Sequence, residues 1–208
     1  MAGKTRGVVW HKPSGAEFAE VELGRGRLAA TGVAVGADPV PYRLDYQLTT
    51  AEGYVTTRLV VRAAGAGWGR ALELRREVDG SWHVEVDIHG RPDLPAPGGD
   101  VWGLQDALDC DLGGCPLTNT MPVLRHGLLA GGGPVELVMP WVSVPDLGVE
   151  PLAQRYTRLR RDATGSVVRF ESEGFRADIV FDTDGLVVDY PGIAHRARAW
   201  PSVAAADP

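Results

Sequence analysis

Positive charge and long apolar runs are both scarce in this chain of 208 residues. The formal net charge is −6, which argues against a broad phosphate-binding surface, because non-specific nucleic-acid affinity comes mainly from Lys and Arg. No apolar run in the sequence approaches the roughly 18 residues of a membrane span. Nucleic acid is therefore not an expected partner, and no integral membrane segment is expected.

The first residues, MAGKTRGVVWHKPSG, lack the apolar core of a secretory signal. Their longest apolar run is Val8 to Trp10, whereas a signal peptide needs about 7–15 apolar residues. We therefore expect a cytoplasmic protein. Cys110 and Cys115 are the only cysteines, and in a reducing compartment they are expected to be free thiols. Without a second pair of ligands they make a weak zinc signal, so no metal and no cofactor is predicted.

Helical periodicity is also missing, and the prevailing hydrophobic period is two, which is typical of half-buried strands. Hydrophobic residues make up 44% of the chain, which is enough for a packed core. YRLDYQL, from Tyr42, alternates aromatic and aliphatic residues with polar ones, and SWHVEVDIHG, from Ser81, does the same. Asp79-Gly80 and Asp184-Gly185 stand between such runs, where glycine permits the positive φ of a tight hairpin turn.

The pattern predicts an all-β fold with little helix, an antiparallel meander curled into a half-barrel or β-roll, because a long open sheet twists and leaves exposed edges. The loop at 91–100 separates two halves, with a short helical turn expected at VWGLQDAL, from Val101. We predict one domain over 1–200 and a disordered tail over 201–208. The predicted strands lie near 7–12, 16–23, 27–35, 41–49, 54–63, 69–78, 81–89, 121–129, 134–144, 154–161, 166–172, 175–182 and 186–190.

Catalytic motifs are absent: the sequence has no nucleophile elbow, no Walker loop and no dinucleotide fingerprint. His83, Glu85, Asp87 and His89 alternate on one side of a predicted strand and offer metal-ligand chemistry. Side chains two residues apart on a strand lie about 6.5–7 Å from each other, however, so a solvated outer face is favoured. No catalytic residue is assigned, and whether the protein is an enzyme stays open.

The most unusual stretch is LDCDLGGCPLTNTMPVLRHGL, from Leu108 to Leu128. In an extended chain Asp109 and Asp111 share a face and could raise each other's pKa if buried, as a general acid requires. The same residues, and Asn119 between two threonines, could instead satisfy the backbone of an irregular loop. The two readings predict different directions for these side chains.

Two arginines lie in apolar surroundings. Arg125 follows the unusual stretch, and Arg58 lies within VTTRLVV. An inward Arg is costly unless it pairs with Asp109, Asp111 or an anionic ligand. A surface or rim position is favoured for both, and a buried Arg–Asp pair is the alternative.

The segments DCDLGGCPLTNTMPVLR, from Asp109, and DTDGLVVDYPGIAHR, from Asp182, each contain a recognisable motif. Together they resemble the family described as putative glycolipid-binding, a group of bacterial domains without an assigned activity. That family carries a D-x-D-[LI] element before P-x-T-N-T-[LM]-P-[IV], and a C-terminal G-L-V-x-[DE]-Y-P-x-[LI] element. Leu124 departs from the pattern, since a basic residue usually precedes Arg125. The matching residues are Asp109, Asp111, Leu112, Pro116, Thr118, Asn119, Thr120, Met121, Pro122 and Val123, then Gly185, Leu186, Val187, Asp189, Tyr190, Pro191 and Ile193.

The resemblance spans about residues 8 to 198 and implies a curved β domain, similar in shape to bacterial lipoprotein carriers that bind lipid in an apolar groove. Three hypotheses follow: a binding module for a glycolipid or other amphiphile, an enzyme that uses Asp109 or Asp111 as acid or base on a sugar-like substrate, and an interaction protein with a filled core. For the binding module, the expected polar rim comprises Arg58, Asp109, Asp111, Asn119, Arg125 and Tyr190.

Overall fold

The computed structural model describes residues 3–162 and 165–197, and the tail predicted at 201–208 lies outside the described residues. The described chain is mainly β-structure. Its fourteen strands are β1 Lys4–Lys12, β2 Gly15–Gly24, β3 Arg27–Gly36, β4 Tyr42–Thr50, β5 Thr56–Gly65, β6 Trp68–Arg76, β7 Trp82–His89, β8 Asp111–Leu112, β9 Val135–Val142, β10 Val149–Asp162, β11 Gly165–Ser172, β12 Phe175–Phe181, β13 Val187–Tyr190 and β14 Ala194–Arg196.

All of these strands belong to one curled sheet, in the order β7-β6-β5-β4-β3-β2-β1-β14-β13-β12-β11-β10-β9-β8. Each strand pairs antiparallel with its neighbour, except that β8 runs parallel to β9. The order has two edges, at β7 and β8, so the described sheet is an open half-barrel. The predicted fold class is confirmed.

In strand β4 the alternation of apolar and polar residues predicts correctly which face is buried. Leu44, Tyr46 and Leu48 are buried on one face of this strand. Strand β7 differs, because only Trp82 is buried, while Val86 and Ile88 are 44% and 53% exposed. Apolar and polar residues do alternate in β7, but this strand lies at the edge of the sheet, and its apolar side chains beyond Trp82 stay partly or largely exposed.

The strand predicted at 121–129 is wrong. A 3-10 turn, Pro116–Asn119, runs into the helix α1, Thr120–Arg125. Pro122 explains the difference, since it has no N–H to donate to a sheet ladder, and its fixed φ suits the first turn of a helix. The helical turn expected near Val101 is also absent, and two successive turns take its place, closed by hydrogen bonds from Leu104 to Val101 and from Ala107 to Leu104.

Residues 104–128, here called the inner segment, fill the inside of the curl. Their apolar side chains join both hydrophobic cores: Cys110, Leu112, Leu117 and Met121 pack in the core of the N-terminal strands. Residues from the end of the segment, including Val123, pack in the core formed with β10–β13. The hollow that a curled sheet would otherwise enclose is therefore largely occupied by the chain itself.

Candidate functional site

A cavity of about 310 Å³ remains between the inner segment and strands β9–β13. Its aromatic lining comes from Trp141, Phe170, Phe175 and Tyr190, one residue from each of four strands. Polar groups from Asp111 and Asn119, on the inner segment, face the same space, and the acidic side chains of Glu150 and Glu173 are exposed at its edge.

Three of the aromatic rings form one continuous wall. The ring centroid of Phe170 lies 6.0 Å from those of both Phe175 and Tyr190, and Phe175 and Tyr190 are 6.2 Å apart. Phe170 and Tyr190 are 5% and 7% exposed, whereas Phe175 is 38% exposed. The wall therefore runs from the buried interior to the surface, with Phe175 at the outer end.

Asp111 is positioned by the short parallel pairing of β8 with β9, which sets it beside Trp141. Its Oδ1 accepts a hydrogen bond from the Thr118 hydroxyl and its Oδ2 one from the Gln154 amide, each 2.7 Å long. Burial raises the pKa of Asp111, and these two hydrogen bonds oppose the rise. The carboxyl is thus held rigidly in place, and the residue is half-buried at the cavity.

Asn119 is tied into the same network through Tyr156. The Tyr156 hydroxyl lies 3.0 Å from the side-chain oxygens of both Asn119 and Gln154, and its single proton serves one of them at a time. Burial raises the pKa of Tyr156 well above its usual range. Asp111, Gln154, Tyr156 and Asn119 therefore form a connected polar network, here called the polar floor, and two of its members, Asp111 and Asn119, line the cavity.

Asp109 and Arg125 form a separate buried ion pair and do not line the cavity. Arg125 Nη1 donates to Asp109 Oδ2 at 2.8 Å, and Nη2 donates to Oδ1. Arg125 also donates to the backbone carbonyls of Gly53 and Tyr54, 2.8 and 3.1 Å away. Burial raises the pKa of Asp109 to about 6, against the opposing effect of Arg125. The pair joins the inner segment to the loop between β4 and β5.

Asp109 and Asp111 have different partners in the structure, although the charge of Asp111 is the smallest of the causes that act on the pKa of Asp109. Residues 107–110 are not part of a strand, and β8 begins only at Asp111, so the shared face of an extended chain does not exist here. Asp109 contacts Arg125, while Asp111 faces the cavity. Neither carboxylate accepts a hydrogen bond from a described backbone amide.

Arg58 lies apart from the other predicted rim residues. It is exposed on β5, where it pairs through two nitrogens with Glu73 on β6, at 2.8 and 2.7 Å. Of the predicted rim residues, the structure brings three to the cavity: Asp111, Asn119 and Tyr190.

A second buried polar cluster was not found from the sequence. Glu17 is 2% exposed, and its Oε1 accepts hydrogen bonds from the Tyr46 hydroxyl at 2.9 Å and from the Cys115 thiol at 3.1 Å. Lys12 forms an ion pair with the same carboxylate. Burial raises the pKa of Cys115 well above its usual range, so the thiol stays protonated. The available signal was the position of Glu17, which alternates in phase with the buried Ala19 and Val21.

Metal ligation finds no support in the described ranges, 3–162 and 165–197, where no group of three or more His, Cys, Asp or Glu could hold an ion. His83, Glu85, Asp87 and His89 are exposed, and Glu85 pairs with Arg75 at 2.8 Å. Both cysteines are free and buried. Across the same residues, none of the helices has the length and apolar character needed to cross a bilayer.

The family model described as "Putative glycolipid-binding" matches residues 7–196. The chain belongs to this family. It is also similar to a crystal structure of a DUF1089 family protein from Pseudomonas aeruginosa, with 28% sequence identity and a TM-score of 0.65 over 87% of this chain and 92% of that one. No curated protein matches the chain. The D-x-D and T-N-T motifs of the glycolipid-binding family fall on the inner segment, at the ion pair and at the cavity.

Proposed function

We propose that this protein binds an amphiphile of the glycolipid type in the cavity between the inner segment and β9–β13, and that it does so without catalysis. The supporting observation is the lining of the cavity, which combines four aromatic side chains with a small number of polar groups. Ligand sites are commonly built in this way, as mostly apolar pockets with a few polar groups that fix orientation.

The polar floor supports binding more than chemistry. Both oxygens of Asp111 accept hydrogen bonds, from the Thr118 hydroxyl and the Gln154 amide, which fix the orientation of the carboxyl as a recognition group requires. Asp109, which has the raised pKa that suits a general acid, is held by Arg125 away from the cavity. The Cys115 thiol, which lies at the cavity, donates to Glu17.

The proposed position of the ligand differs from the one expected from the sequence. The sequence predicted an acyl chain in the concave face, but the inner segment fills most of that space. The proposed rim is accordingly reduced to Asp111, Asn119 and Tyr190, with the aromatic wall beside them. Arg125 and Asp109 pair with each other within the inner segment, and Arg58 pairs with Glu73 on the outer surface.

The test is titration of the purified protein with octyl β-D-glucoside below its critical micelle concentration, followed by calorimetry and native mass spectrometry. We expect saturable binding of one molecule per chain. The matched variants are Phe175→Ala, at the outer end of the wall, and Trp102→Ala, which removes an exposed ring outside the cavity. Absence of saturable binding, or equal loss in both variants, would contradict the proposal.

Two other assignments stay predictions. A single domain over 1–200 predicts one cooperative unfolding transition, which differential scanning calorimetry measures. A cytoplasmic location in a bacterial cell predicts recovery of the expressed protein in the cytoplasmic fraction.

A further inference from the structure

The charges around the cavity have a single sign. Its ionisable acids are Asp111, Glu150 and Glu173, and no Lys, Arg or His lines it within the described parts of the chain. Like charges that face each other across a binding surface cost several kcal/mol. A phosphate or sulfate group in this cavity would meet three carboxyl groups and no cation to pair with them.

Arg125, which the sequence suggests as a partner for an anionic ligand, is already engaged by other groups. The Arg125 guanidinium donates hydrogen bonds to the Asp109 carboxylate and to the backbone carbonyls of Gly53 and Tyr54. These contacts use both terminal nitrogens and Nε, and the side chain is 11% exposed. An anionic head group would have to break a buried ion pair to reach it.

The aromatic rings leave no space between them for a compact cation. A cation held between rings lies within about 6 Å of each ring centroid, and rings on its opposite sides are separated by the ion. Phe170, Phe175 and Tyr190 instead contact one another, with centroids 6.0–6.2 Å apart. Their planes are inclined by 54–67° to one another, so the C–H face of a sugar ring packs against one ring, with the edges of the other two beside it.

The polar floor has unused capacity for hydroxyl groups. An ionised carboxylate offers about four lone-pair sites, and the Asp111 carboxylate accepts two described hydrogen bonds, from Thr118 and Gln154. Asn119 adds an amide beside it. Hydroxyl groups both donate and accept, so they fit this mixture of carboxylate and amide without bringing a charge into a buried place.

Size limits how much of a ligand enters. Small-molecule pockets span about 300–1,000 Å³, and this cavity of about 310 Å³ lies at the lower end. A single sugar ring fits that space, and a complete glycolipid does not. The chain of an amphiphile would leave past Phe175, the exposed end of the wall.

We infer that the cavity takes an uncharged sugar ring, packed against the wall of Phe170, Phe175 and Tyr190, and that it rejects anionic head groups. The acyl chain stays outside. This inference rests on the proposed function, since it names the part of the amphiphile that the same cavity recognises.

The test compares three probes that share an eight-carbon tail: octyl β-D-glucoside, octyl sulfate and octyltrimethylammonium, each titrated below its critical micelle concentration by calorimetry. We expect the glucoside to bind about ten-fold more tightly than the sulfate, and more tightly than the ammonium. Methyl β-D-glucoside, which has no tail, should compete with the octyl glucoside. Equal or tighter binding of the sulfate or the ammonium would overturn the inference.

A charge variant separates head-group selection from a general charge effect. In Glu150→Gln/Glu173→Gln, octyl sulfate should bind several-fold more tightly than to the unmodified protein, while Glu77→Gln, an exposed acid outside the cavity, should leave its affinity unchanged. Equal effects in both variants would refute a role for the cavity acids. If all three probes bind alike and lose affinity in Phe175→Ala, the proposed function stands and this inference fails; if none binds, the proposed function fails.

Discussion

Arg125 at the end of α1 donates two hydrogen bonds to the carboxylate of Asp109, which precedes it by 16 residues on the inner segment. The two side chains are 11% and 1% exposed. The pair therefore closes the inner segment on itself and, through the carbonyls of Gly53 and Tyr54, fastens it to the β4–β5 loop.

Breaking this pair should destabilise the protein strongly. Arg125→Met leaves a buried carboxylate without its partner, which costs about 3–5 kcal/mol of unfolding free energy. Arg125→Met with Asp109→Leu should cost less than Arg125→Met alone, because no charge stays buried. Urea unfolding followed by circular dichroism measures both. The control is Arg58→Met, whose exposed pair with Glu73 is worth about 1 kcal/mol or less; a similar cost for Arg125→Met and Arg58→Met would contradict the prediction.

Stability should depend on pH through Asp109. Its pKa rises from 3.8 in the unfolded chain to about 6 in the folded protein, so the folded state binds more protons between these values. The contribution is complete below pH 4 and is lost as the pH rises through 6, with a size of up to about 3 kcal/mol. The test compares unfolding free energies of the natural protein and Asp109→Asn from pH 4 to 7. The fall with rising pH should be smaller in the variant, and identical slopes would reject the assignment.

The turn at Gly185 should be intolerant of a side chain. Gly185 has φ +82, and an added Cβ would lie 2.6 Å from Leu124 Cδ2. Gly174, with φ +71, has nothing within 4 Å, so Gly174→Ala carries only the backbone cost of about 1–2 kcal/mol. Gly185→Ala should lower the free energy of unfolding by more than this. Adding Leu124→Ala to Gly185→Ala should relieve part of the excess, because it removes the atoms that the new Cβ meets. Chemical denaturation of the three variants decides, and equal costs for both glycines would refute the contact.

The aromatic wall should matter for binding more than for folding. Phe175→Ala removes a ring that is 38% exposed, and the two tilted ring contacts it loses are worth about 0.5–1.5 kcal/mol each. We expect octyl β-D-glucoside affinity to fall about ten-fold, which equals about 1.4 kcal/mol, with unfolding still cooperative. In Trp102→Ala the affinity should be unchanged. A loss of binding that accompanies loss of cooperative unfolding would show that the ring acts through folding.

Much of the sheet could be predicted from local chemistry. Alternation and the Asp-Gly turns define hairpins because strand period and turn geometry are properties of neighbouring residues. Asp79-Gly80 and Asp184-Gly185 both lie in turns between strands, and Gly80 and Gly185 have positive φ. The sequence does not predict helix α1, because consecutive residues of this helix are buried and the apolar residues therefore show no helical period. Only Pro122 argues against a strand at this position.

The site was harder to predict because its members meet through pairing that is distant in sequence. The separation of Asp109 from Asp111 depends on β8 starting at the second of them, and no local pattern sets that boundary. Leu124 is a clearer case. The resemblance leads us to expect a basic residue there, yet Leu124 packs over Gly185, a contact between two motifs that are distant in sequence.

The first and last strands of the described chain, β1 and β14, pair with each other in the middle of the sheet, where Trp10 lies opposite Arg196 and His11 opposite His195. Every other antiparallel pair joins strands adjacent in sequence, so this seam alone requires closure of a loop almost as long as the chain. Such distant contacts form slowly. During synthesis the β1 edge therefore stays unpaired until β14 has left the ribosome, and in that interval it adds a further open edge at which nascent chains can associate.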